Sequence, residues 1–147
     1  MNAIAAGKFI DEIIPVSVGE SSLTSDECPI EISKEEYTSY ATVFQKDGTV
    51  TKGNACGLND GASTVLVCDK NEAEKIGLNI EAEVLATAMV GCDPNIMGMG
   101  PVFAVRKVIE KADITIGDVD LFELNEAFAS QSLACIRELG IPIEKVI

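Results

Sequence analysis

Asn125 stands where an apolar run, Val119 to Leu124 (VDLFEL), meets the start of a helical pattern. In open α/β sheets that junction presents ligands and catalytic groups. An amide there can donate to an oxygen or hold a water. The plainer alternative is that Asn125 caps the helix, which asparagine does well. A second cluster spans Asp47 to Asp60 (DGTVTKGNACGLND). Gly48, Gly53, Gly57 and the following Gly61 allow tight turns and close backbone approach to a ligand. Neither GxxxxGK[ST] nor GxGxxG occurs in it, and a turn-rich connector is the alternative reading. Cys56 lies inside the cluster, but a thiol nucleophile needs a base and the chain has no histidine. A third cluster, Met97 to Pro101 (MGMGP), puts Gly98 and Gly100 before a helix. Backbone N–H groups meet a positive helix end there, or the glycines simply make a tight turn. The carboxylates Asp113, Asp118, Asp120, Glu123 and Glu126 lack EF-hand spacing and read as solvated surface.

Composition narrows the chemistry further. The 147 residues carry 11 basic and 24 acidic side chains, a net charge of −13. Such a surface argues against nucleic acid and anionic membrane as partners. Hydrophobic residues make up 47%, enough for a buried core and too many for a disordered chain. Without histidine, no Ser–His–Asp triad, Cys–His pair or histidine metal site can be built from these residues alone. The five cysteines, Cys28, Cys56, Cys68, Cys92 and Cys135, are odd in number and show no CxxC spacing. Reduced thiols in a cytoplasmic protein follow. The first residues lack the pattern of a signal peptide, and no apolar stretch approaches the ~18 residues of a membrane span.

The elements that must position these residues are legible mainly in the second half. Length fits one domain. Val16 to Gln45 reads as an irregular excursion with one short helix near Lys34 to Tyr40. Ser63 to Cys68 (STVLVC) reads as a buried strand. Asn71 with Glu74 forms an N-cap pair for a short helix stopped by Gly77. Glu83 to Val90 (EVLATAMV) reads as a second strand. Pro101 opens a helix with Val102, Val105, Val108, Ile109 and Ala112 at helical spacing. Val119 to Leu124 is a third strand, and a helix from Asn125 to Leu139 ends at Gly140. The order β-α-β-α-β-α predicts an α/β fold with helices covering a sheet.

Five motifs occur in one order: GKF-DEI-PV from Gly7, FQKDGTV-T-GNA from Phe44, GLNDGAS, G-DPNIMGMGP and NEAFASQ. Together they resemble the thiolase family, the acetyl-CoA acetyltransferases and 3-ketoacyl-CoA thiolases, over almost the whole chain. The resemblance implies a partial thiolase fold of the layered α-β-α-β-α type. Residues 1–69 would form the loop region and the end of the N-terminal domain, and residues 70–147 the first half of the C-terminal domain. It implies acyl transfer to and from coenzyme A by Claisen condensation or thiolysis, within fatty acid metabolism. Coenzyme A thioester enters as substrate, and no cofactor or metal is required. Homo-oligomers are expected.

By the same resemblance, Asn125 matches the asparagine of NEAF, which with a family histidine holds a water and forms an oxyanion hole. Phe44, Lys52, Ala55 and Cys56 match positions along the coenzyme A tail, and Met97 a methionine near the acyl pocket. The family usually has serine at Cys56 and a small residue at Lys52. It also has a basic residue near Pro29 and Ile30 that this chain lacks. The family's nucleophilic cysteine is expected before Met1, and its GHP histidine and CxGGG cysteine after Ile147. The chain alone is therefore expected to be inactive. The alternative is a non-catalytic fragment that docks on an intact thiolase subunit or on a second fragment.

Overall fold

The computed structural model describes residues 2–147, and they divide into two compact units, one ending at Ala41 and the other running Thr42–Ile147. The first unit holds helix α1 (Asn2–Ala5), strands β1 (Val16–Val18) and β2 (Ser21–Leu23), and helix α2 (Lys34–Ser39). The two strands form an antiparallel hairpin with Val16 opposite Leu23. Ser33 caps α2, its hydroxyl accepting from the Glu36 amide at 3.0 Å. That helix lies where its sequence predicts it.

In the second unit the helices follow from local chemistry. Helix α3 is Lys70–Lys75. Its cap is Asp69, whose carboxylate accepts from the amides of Asn71 and Glu72. This corrects the expected Asn71 cap: an aspartate two residues earlier satisfies the orphan amides first. Helix α4, Gly100–Ala112, has Pro101 in its first turn, where a missing N–H costs nothing. Helix α5 is Ala129–Leu139 and stops at Gly140, whose φ of 65° suits a residue without a β-carbon. Its N-cap is Phe128, so Asn125 does not cap it. Phe128 is extended (φ −143°, ψ 135°) and bridges Ala55, so the helix begins only at Ala129.

The core is small. Val102 of α4 and Cys135 of α5 are fully buried, and Ala73, Ile136, Ile141 and Ser132 are also buried. The rest of the apolar stripe on α4 is half-buried. Arg106 of α4 pairs with Glu138 of α5 at 2.7 Å, an exposed contact of at most about 1 kcal/mol. Lys107 and Lys111 reach from α4 to the carbonyls of Met89 and Thr87.

The three expected strand segments form no sheet among the described residues. The only ladder there is β1–β2. Val119–Leu124 contributes a single parallel bridge, Phe122 to Val146, and Ser63–Cys68 and Glu83–Val90 contribute none. A strand exists through its neighbour's hydrogen bonds, and no described residue supplies that neighbour. The expected burial of Ser63–Cys68 fails with it: Val65, Leu66 and Val67 are each more than three-quarters exposed.

Candidate functional site

The loop after Thr42 is tied by one asparagine. Thr42 bridges Thr51, and the Asn54 side chain accepts from the Thr51 amide and donates to the Thr49 carbonyl, both at 2.8 Å. This fixes the direction in which Asn54, Ala55 and Cys56 leave the loop. Those residues then run antiparallel to the segment after Asn125. The Cys56 amide donates to the Ala127 carbonyl at 3.1 Å, and the Ala129 amide donates to Asn54 at 2.9 Å. Ala55 faces Phe128 in the bridge between these bonds. Phe44 meets Phe128 edge to face, with ring centroids 5.7 Å apart at 85°. That geometry suits aromatic quadrupoles.

Three of the residues expected from sequence, Phe44, Ala55 and Cys56, therefore gather around Phe128. Asn125 stands three residues before it, exposed, and lines an open cavity of about 340 Å³ with Glu123, Leu124 and Ile147. Its side chain makes no hydrogen bond within the described residues, so the amide is available to an incoming oxygen. Lys52 is exposed on the loop between Thr51 and Gly53. Met97 is largely exposed on a separate 3₁₀ element of two turns kinked at Ile96, Pro94–Met99, which Asp93 caps through the Asn95 amide. Phe128 itself was not singled out in the sequence, although an aromatic closing an apolar run before a helix was the available signal. Cys135, which bonds the Gly98 carbonyl, and Gln131, which bonds the Cys135 sulfur, carried no signal beyond their helical spacing of four.

No cluster among the described residues could hold a metal ion, and no helix there is long and apolar enough to cross a membrane. The arrangement offers an amide donor at a cavity mouth and, three residues further along the chain, a backbone-paired apolar cluster. Such a cluster can line a long thin ligand, and such a donor can meet a carbonyl oxygen.

Comparison with known proteins shows what this arrangement is similar to. The family model described as thiolase, N-terminal domain, matches residues 1–71, and that described as thiolase, C-terminal domain, matches residues 78–147. The acetyl-CoA acetyltransferase of Syntrophomonas wolfei is 46% identical over 142 residues, covering 94% of this chain and 36% of that protein. The crystal structure of the Bacillus anthracis acetyl-CoA acetyltransferase superposes with a TM-score of 0.93 at 41% identity, over 99% of this chain and 38% of that one. Human mitochondrial 3-ketoacyl-CoA thiolase in complex with CoA gives 0.91 at 40% identity, over 99% and 37%. The chain thus spans little more than a third of the length of these relatives, and its fold is a part of the α/β thiolase fold.

Proposed function

The chain belongs to the thiolase family, and from that premise we propose that it forms the part of an acetyl-CoA C-acetyltransferase that lines the coenzyme A tail and supplies an oxyanion donor. The observation that carries this reading is the pairing of Asn54–Cys56 with Ala127–Ala129. It gathers Phe44, Ala55 and Cys56 around Phe128, three residues after Asn125. In the reaction, the Asn125 amide would hold the water or the thioester oxygen as charge develops on it. A preorganised donor of that kind is worth about 3 kcal/mol of barrier. Phe44 and Phe128 would pack on the pantetheine arm. Cys56 would offer only a weak thiol contact where a hydroxyl would bond an amide, and Met97 would meet the acyl group. Lys52 would stand close to the same arm, crowding it or reaching the phosphates.

The imidazole must come from residues other than these, because the chain has no histidine. On this reading residues 1–69 belong to the loop region and N-terminal domain, and residues 70–147 to the C-terminal domain. Subunits pair as homo-oligomers, and the reduced thiols suit the cytoplasm. The exposed apolar side chains of Val65, Leu66, Val67, Val84 and Leu85 favour a second reading. In it, the chain docks without catalysis on an intact thiolase subunit or a complementary fragment.

The test is a graft of the whole chain in place of the matching segment of the S. wolfei enzyme. Thiolysis of acetoacetyl-CoA by the graft is expected, with kcat falling about 100-fold on Asn125→Ala. A folded graft whose activity ignores that substitution would sink the catalytic assignment. The purified chain alone should show no turnover, and a rate above background would overturn that expectation.

A further inference from the structure

Helix α5 touches the candidate functional segments at its start and at its middle. Its start follows directly on the residues that pair with Asn54 and Cys56. One turn further, Gln131 and Cys135 occupy the same helix face, as residues four apart must. The Cys135 thiol, fully buried, donates to the Gly98 carbonyl at 3.2 Å. The Gln131 amide donates to that sulfur at 3.5 Å. Gly98 lies so close that a β-carbon there would sit 3.1 Å from Cγ of Gln131. A side chain at this position would press on Gln131 and require it to shift by a few tenths of an ångström. The buried thiol thus bonds to the loop carbonyl instead of serving only as packing.

We propose that Gln131 and Cys135 are positioning residues. Cys135, braced by Gln131, ties the Gly98 carbonyl to α5, so that the segment carrying Met97 is set by the helix that begins four residues after Asn125. This rests on the reading above in assigning Met97 to the acyl group. The hold itself is a separate claim about geometry. A shift of α5 would then carry the Met97 segment with it.

Two measurements test it. In the full chain, hydrogen exchange in peptides covering residues 94–100 should quicken about fivefold in Cys135→Val, the worth of one net hydrogen bond. Cys135→Ser, which keeps a donor, should restore the slow rate, and Gly98→Ala should quicken it as well. An unchanged rate in Cys135→Val would overturn the proposal. So would equal quickening along all of residues 129–139, because Cys135 would then merely pack the helix. In the graft, Cys135→Val should raise KM for acetoacetyl-CoA about fivefold with kcat nearly unchanged. A fall in kcat at constant KM would overturn the link to Met97. An inactive unsubstituted graft would sink the functional reading, and the exchange measurement would still decide the hold.

Discussion

The turn before the Val119–Leu124 segment rests on one carboxylate. Asp118 accepts from both the amide and the hydroxyl of Thr115, at 2.8 and 2.6 Å. These bonds hold its carboxyl below the ordinary aspartate range, and nearby Lys145 adds to the effect. The group binds fewer protons folded than unfolded, so its contribution is present above the unfolded pKa. It is lost as pH falls through the lower folded value. The chain should therefore lose stability on acidification below about pH 4, and Asp118→Asn should remove that part of the pH dependence in thermal melts taken at several pH values. Gly140 gives a second residue-scale expectation. Open space surrounds it, so Gly140→Ala meets only backbone strain at φ 65° and should cost about 1 kcal/mol in denaturant unfolding. Stops such as this glycine were legible, because they depend on a single residue's conformational range. Asp69 was not: with Asn71 nearby, two side chains could cap the same helix, and only the backbone's path shows which one faces the free amides.

At the scale of elements, the helices are legible and the strands are not, for one physical reason. A helix satisfies its backbone within itself, and its signals of periodicity, cap and stop are local. The apolar runs at Ser63–Cys68 and Glu83–Val90 carry the composition of strands but need neighbours to become them. The candidate site divides in the same way. Its residues could be named from motifs, but the joining of Asn54–Cys56 to Ala127–Ala129 is a contact between segments some seventy positions apart, which no spacing rule reveals. Val102 of α4 is buried to 1% exposure. Val102→Ala removes two carbons' worth of burial and leaves a void, and it should cost about 2 kcal/mol. Loss of helical circular dichroism at lower urea concentration would show it, and a midpoint equal to that of the unsubstituted chain would contradict it.

Across the whole molecule, more apolar surface faces outward than a stable monomer tolerates. Val65, Leu66, Val67, Val84, Leu85 and Met89 are all above 70% exposed, and residues 65–84 line an apolar groove of about 640 Å³. Such patches drive association, while a net charge of −13 on every copy opposes it. Size-exclusion chromatography should therefore show the chain alone as an associating species whose apparent mass rises with salt, because salt screens the repulsion more than the apolar contact. A sharp monomer peak at all salt concentrations would contradict this. The cysteines turn the same surface into a chemical record. Cys28, Cys56 and Cys68 are exposed, Cys92 is half-buried and Cys135 is buried, so alkylating reagents should mark them in that order, with Cys135 modified only when α5 leaves its seat. Cys68 lines the apolar groove. A partner that covers the groove would shield Cys68 while leaving Cys56 reactive, and the mass of each labelled peptide would report occupancy of that surface, thiol by thiol, whatever the partner is.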